Sequence, residues 1–219
     1  IRQPILANSQ IDSAFDSITY GKGGHVVAMI ASYMGDNKFR AGVRRYMAKH
    51  RLGSATSDDF FAALAEEAGD QRLVTAMRSF IDQQGVPLLS FTRKGNAFEV
   101  SQTRYVALGT GLQPGKWTVP MCARRGAERH CQLMDGESAS FTLAGKRPLM
   151  PNAAGAGYYR FELPRKDWDA LIKMADRLPS GEAQALADSL QASFRAGRAS
   201  TGQIFALARK LIRNPSSDA

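Results

Sequence analysis

Histidine and cysteine are scarce in this sequence, and the common catalytic motifs are missing. The chain has three histidines and two cysteines in 219 residues, and it contains no H-E-x-x-H, phosphate-binding loop or G-x-S-x-G pattern. His25, His50 and His130 lie far apart in the sequence. No two of them are separated by four positions, the spacing that places two zinc ligands on one face of a helix. The chain itself therefore supplies no complete metal site, and we expect each histidine to be structural.

Long apolar runs are also missing. The longest run, residues 26–31, is much shorter than the roughly 20 residues that a membrane helix needs. No membrane span is therefore predicted. The sequence opens on Ile1 without a basic and apolar leader pattern, so we expect it to be a piece of a longer protein.

The positive charge is not concentrated in any run. The chain has 29 basic and 20 acidic residues, a net charge of +9, and residues 88–163 alone carry ten basic and five acidic side chains. Nucleic-acid-binding proteins usually concentrate such charge on one face or helix. The segment KGNAFEV at 94–100 has the wrong aromatic spacing for an RNA-binding strand. No nucleic-acid partner is predicted, and the surplus charge is assigned to solubility.

Apolar residues at helical spacing fill the first third of the chain. A first stripe begins at Val26 and ends at Gly35, a typical C-cap, and a second runs from Phe39 to His50. Thr56 and Asp59 form the pattern of a capping box that opens a third helix. A fourth helix is predicted to stop before 85–87, which reads Gly-Val-Pro.

The pattern changes at residue 88. Short alternating runs separated by turn residues predict an antiparallel sandwich, and helical periodicity returns after Pro164. The predicted strands are LLSFT, AFEVSQ, WTVPM, HCQLM, SASFTL and YYRFEL. The fold class is therefore α+β with three parts: helices at 1–87, a β-sandwich at 88–163 and a helical segment at 164–219.

One segment has a composition suited to chemistry, FDSITYGKGG at 15–24. A tyrosine followed by three glycines before a helix would let the backbone and the phenol approach another group closely. Because a phenol donates hydrogen bonds at neutral pH, Tyr20 is a candidate for stabilising an oxyanion. Packing of the ring beside a glycine-rich turn is the competing interpretation.

Several motifs in order along the chain resemble the aminopeptidase N family of zinc metallopeptidases. They are FDSITYGKGG, MIASYMGDNKFRAGVRRYMAKH, ATSDDFFAAL, FIDQQGVPLLSF, SQTRY, WTVPM, PNAAGAGYYRFEL and LADSLQASFRAG. The resemblance implies that 1–87 is the helical end of a thermolysin-like catalytic domain, downstream of the zinc-binding helices. It also implies that 164–219 is the beginning of a C-terminal helical domain.

The family pattern Y-x-K-G falls on Tyr20, Lys22 and Gly23. By that resemblance Tyr20 is the catalytic tyrosine that stabilises the tetrahedral oxyanion when water attacks a peptide carbonyl. Lys22 has a weaker case, since a solvated lysine at a helix start explains it equally well. The family's H-E-x-x-H, its downstream glutamate ligand and its site for the free amine are absent from this sequence and would lie upstream of Ile1.

The resemblance therefore implies Zn²⁺ and peptide substrates for the intact parent enzyme. No metal and no activity are expected of this chain alone. The alternative is a noncatalytic module, a sandwich with helices that binds a protein or a polyanion. The residues encoded upstream of Ile1 would separate the two hypotheses.

The two cysteines can meet across a hairpin. A two-residue turn at 126–127 would place Cys122 opposite Cys131, within disulfide range for a pair that is not hydrogen-bonded. The sequence leaves open whether this pair is oxidised or reduced. A metal site with His130 fails, because neighbouring strand residues point to opposite faces.

Overall fold

The computed structural model describes residues 5–10 and 16–216. Within them the contacts define two compact units. One comprises the chain up to Gln84 together with Trp117–Pro120, and the other comprises Gly85–Lys116 and the chain from Met121 onward. The division into 1–87, 88–163 and 164–219 stays a prediction. None of the helices in the described ranges is long and apolar enough to cross a membrane.

The first unit is helical. It contains a 3₁₀ turn at Asn8–Gln10 and the helices α1 Ser17–Met34, α2 Asp36–Lys49, α3 Ser57–Ala68 and α4 Arg72–Ile81. The predicted capping box is confirmed, since Thr56 accepts a hydrogen bond from the Asp59 backbone and the Asp59 carboxylate accepts one from the Thr56 backbone. Gly35 ends α1 with a φ of 81°, as predicted.

Helices α2 and α3 pack closely because of one glycine. A Cβ on Gly42 of α2 would lie 2.8 Å from Cδ2 of Leu64 and 3.2 Å from its Cα. The absence of a side chain at Gly42 lets the two helices approach, so that Leu64 is fully buried between them and their neighbours. This contact helps to fix the helical frame that carries α1.

The second unit combines two sheets and three helices in its described residues. The strands are β1 Pro87–Lys94, β2 Ala97–Arg104, β3 Val119–Arg125, β4 Glu128–Met134, β5 Ser138–Thr142, β6 Leu149–Met150 and β7 Arg160–Glu162, and the first two residues of β3 are grouped with the first unit. Their order is β5-β2-β1-β7 in one sheet and β4-β3-β6 in the other. All six predicted strands are present, and the two-residue β6 was not predicted.

The two sheets face each other through aromatic and basic side chains. The His130 ring on β4 stacks on Phe141 of β5 at 5.0 Å, and the Arg125 guanidinium on β3 lies 5.7 Å from the Phe98 ring of β2. The predicted sandwich is therefore present. One pairing is not antiparallel, since β7 runs parallel to β1. A parallel pair needs a crossover connection, and residues 151–159, between β6 and β7, are the last part of it.

A disulfide joins the central hairpin of the smaller sheet. Cys122 on β3 and Cys131 on β4 are bonded, with their Cα atoms 4.1 Å apart, the close spacing of a pair that is not hydrogen-bonded. Gly126 takes a φ of 68° in the two-residue loop, which is the sign that such loops need at this position. Of the two states left open by the sequence, the structure has the oxidised one.

The helices of the second unit are α5 Arg165–Ile172, α6 Ser180–Arg195 and α7 Thr201–Leu211. The start of α6 is held by a buried carboxylate. Glu182, which is 1% exposed, binds the Arg124 guanidinium of β3 and accepts a hydrogen bond of 3.0 Å from the Ala154 backbone. One carboxylate thus connects a strand, the turn at 153–155 and a helix.

Candidate active site

Tyr20 lies in the first turn of α1 and points outward. The sequence placed Tyr20 and the glycines in a turn before the helix, and this was wrong, because α1 already begins at Ser17. The cause is the Asp16 side chain, whose Oδ1 accepts a hydrogen bond of 2.7 Å from the Thr19 backbone and so caps the helix early. These hydrogen bonds from Thr19 hold the pKa of Asp16 below its ordinary value.

Three glycines follow Tyr20 on α1. The Tyr20 side chain is 68% exposed, and Gly21, Gly23 and Gly24 follow it on the same helix. A Cβ built on any of the three glycines would meet no atom within 4 Å. Residues three and four positions along a helix are surface neighbours, so Gly23 and Gly24 leave open space next to the phenol.

Lys22 lies on the opposite side of the helix from Tyr20. Two residues correspond to a rotation of about 200° around an α-helix. Lys22 is only 8% exposed, and its Nζ donates a hydrogen bond of 2.9 Å to the carbonyl oxygen of Gln83. The alternative of a solvated lysine is therefore wrong. Lys22 instead joins the beginning of α1 to the segment that follows α4.

Gln83 is itself held in place. Its side-chain amide donates a hydrogen bond of 2.8 Å to the Ser79 carbonyl of α4. Lys22 and Gln83 together give the first turn of α1 a polar attachment, and Val26, Met29 and Ile30 bury the rest of that helix face. Sequence reasoning missed this attachment, because a single lysine among glycines carries no signal of burial.

A second tyrosine on the same helix has a different environment. Tyr33 lies near the end of α1 and is half-buried. Burial, with a smaller contribution from the Asp70 carboxylate, raises the pKa of Tyr33. Tyr20 and Tyr33 thus differ in exposure, which makes Tyr33 a suitable control for experiments on Tyr20.

The histidines do not assemble into a metal site. His25 is exposed on α1, His50 lies 3.7 Å from an Asp59 oxygen, and His130 binds Gln132 within the sandwich. Among residues 5–10 and 16–216, no group of three or more His, Cys, Asp or Glu side chains could hold a metal ion. The residues that the structure describes therefore do not fit the zinc centre that the resemblance implies for the parent enzyme.

Comparisons with known proteins agree with the motifs. The profile of the "Peptidase family M1 domain" matches residues 1–83, the region that carries Tyr20 and Lys22. "Tricorn protease-interacting factor F2" of Thermoplasma acidophilum is 29% identical over 90% of this chain and 24% of its own length. "Probable aminopeptidase 1" of Saccharolobus solfataricus is 32% identical over 69% of this chain and 19% of its own length.

A plant aminopeptidase is also similar to this chain over part of its length. "Aminopeptidase M1-A" of Oryza sativa subsp. japonica is 33% identical over 62% of this chain and 16% of its own length. The chain thus spans about a quarter or less of the curated relatives named here. Residues 1–83 match the M1 peptidase domain, and over the residues that align the chain is similar to M1 aminopeptidases, the aminopeptidase N family that its motifs resemble.

Proposed function

We propose that this chain is part of an aminopeptidase that removes N-terminal residues from peptides, and that Tyr20 is one of its catalytic residues. The observation that carries the proposal is an exposed phenol on a capped helix, inside the region that matches the M1 peptidase domain. The curated relatives named as aminopeptidases support the reaction class.

The chemistry proposed for Tyr20 is hydrogen-bond donation to a carbonyl oxygen. When water adds to a peptide carbonyl, negative charge develops on that oxygen, and a donor already in position stabilises the charge. The attachment of Lys22 to Gln83 contributes indirectly, because it limits movement of the helix turn that carries the phenol. The three glycines that follow Tyr20 add no side chains to this part of the helix.

The described residues contain no group of three or more His, Cys, Asp or Glu side chains that could hold a metal ion. The proposal therefore assigns metal binding and water activation to residues outside this chain. It follows that residues 1–219 alone have no peptidase activity and bind no stoichiometric Zn²⁺.

An activity assay with two protein samples tests the proposed function. An aminoacyl-anilide substrate is given to the intact protein that contains this sequence and, in parallel, to residues 1–219 alone. We expect release of the anilide by the intact protein, and neither turnover nor bound zinc in the chain alone. An inactive intact protein would contradict the aminopeptidase assignment, and turnover with stoichiometric zinc in the chain alone would contradict the assignment of metal binding to other residues.

A further inference from the structure

The sandwich contains a pocket with a strongly basic rim. Its cationic side chains are Arg93 of β1, Arg125 of β3, and Lys146 and Arg147 of the loop before β6. Asp167 is the one carboxylate among the residues that line the pocket, so the lining carries a net charge of +3. The four cations come from three separate stretches of the sequence, and only the fold brings them together.

The cations of this rim are not paired with carboxylates of the described residues. Arg93 donates to the Gly95 carbonyl oxygen at 2.9 Å, and Arg125 donates to the carbonyl oxygens of Arg147 and Leu143 at 2.7 and 3.3 Å. None of the four cations forms an ion pair in the part of the chain that the structure describes. By contrast, the neighbouring Lys94 is paired with Glu99 at 2.7 Å. An anion at the rim would therefore meet four cations, with Asp167 as the one carboxylate among the residues that line the pocket.

The floor of the pocket is apolar. It is formed by Phe91, Phe98, Leu149 and Leu163. The pocket has a volume of about 160 Å³. This is below the roughly 300–1,000 Å³ of a typical small-molecule site, so the pocket suits a side chain rather than a whole cofactor.

We propose that this pocket is a docking site for an acidic peptide segment, in which one apolar side chain enters the pocket and neighbouring carboxylates bind the basic rim. Guanidinium groups match carboxylates in shape and can bind them through two hydrogen bonds. Charge complementarity of this kind gives specificity and speeds association.

The same features argue against single-stranded nucleic acid. Proteins that bind it use exposed aromatic rings on which bases stack. Phe91 and Phe98 are only 2% and 6% exposed, so they offer no stacking surface. A peptide needs no such surface, because its apolar side chain has only to reach the floor.

Fluorescence anisotropy tests the proposal directly. The probe is a short fluorescein-labelled peptide in which glutamates flank one phenylalanine, titrated with the full 219-residue chain near physiological ionic strength. The pocket variant combines Arg93→Gln, Lys146→Gln and Arg147→Gln, and all three side chains are exposed. The control variant combines Lys173→Gln, Arg195→Gln and Arg213→Gln, which removes the same charge from exposed sites of the same unit.

We expect the pocket variant to bind the probe at least about tenfold more weakly than the unmodified chain, and the control variant to bind within about twofold of it. Replacing the glutamates of the probe by glutamines, or its phenylalanine by glycine, should weaken binding as well. Thermal melting of both variants verifies that the fold is retained.

Four results would overturn the proposal. They are no binding by the unmodified chain, equal losses in both variants, undiminished binding of the glutamine peptide, and tighter binding of a single-stranded oligonucleotide at the same rim. The test is independent of peptidase activity, so it can fail without affecting the proposed function.

Discussion

At the scale of single residues, the buried charges of Lys22 and Glu182 stabilise different parts of the fold. Lys22 attaches the turn that carries Tyr20, and Glu182 joins three elements of the second unit. Neither of these buried contacts could be predicted from the sequence. Periodicity identifies apolar faces, whereas the burial of an isolated charge depends on which carbonyl or guanidinium the fold brings to it.

Replacing Lys22 by methionine should destabilise the chain. The substitution Lys22→Met keeps most of the alkyl chain but removes the donor to the Gln83 carbonyl. We expect the free energy of unfolding in urea to fall by about 1–3 kcal/mol. Lys38→Met is the matched control, because the exposed Lys38 donates a hydrogen bond to the Ala68 carbonyl at a longer distance of 3.3 Å. We expect this control to change the free energy of unfolding by less than about 0.5 kcal/mol. Equal losses in the two variants would contradict a special role for Lys22.

Removing the Glu182 carboxylate should lower the free energy of unfolding more than Lys22→Met does. Glu182→Ala leaves the Arg124 guanidinium and the Ala154 N–H without this partner, and we expect a loss of about 3–5 kcal/mol in unfolding free energy. The control is Asp188→Ala. Its ion pair with Arg160 lies at the surface and should contribute at most about 1 kcal/mol. A Glu182 variant as stable as the Asp188 variant would show that the buried pair does not hold α6.

At the scale of secondary structure elements, sequence patterns succeeded where one local signal dominated. The capping box at Thr56 and Asp59 marked the start of α3, and alternating side chains identified six strands. The start of α1 was missed because three glycines argue against a helix, while burial of Val26, Met29 and Ile30 and the Asp16 cap outweigh their propensity. Strand β6 was missed because two residues carry no periodicity.

Two glycine substitutions should have opposite effects on stability. Gly42→Ala places a methyl group 3.2 Å from the Leu64 Cα, so we expect the packing of α2 on α3 to be disturbed and stability to fall by about 1–3 kcal/mol. Gly24→Ala meets open space within a helix and should raise stability by about 0.5–1 kcal/mol. Urea denaturation of both variants measures the difference. A stabilised Gly42→Ala variant would contradict the close helix contact.

At the scale of the whole molecule, the helical unit carries Tyr20 and the second unit carries the basic pocket. Part of the net charge of +9 is concentrated around one pocket, which is lined by Arg93, Arg125, Lys146 and Arg147. The sequence did not predict this pocket, because its members are separated by up to 54 positions between Arg93 and Arg147. The family resemblance, by contrast, depended on ordered motifs and needed no structure.

The role proposed for Tyr20 is tested most directly by the turnover of the Tyr20→Phe variant of the intact protein that contains this sequence. Loss of one oxyanion donor should lower kcat about 10²–10³-fold with little change in KM. Tyr33→Phe removes the same hydroxyl group from the same helix and should leave kcat within about twofold. If Tyr20→Phe turns over as fast as the unmodified protein, Tyr20 has no part in catalysis.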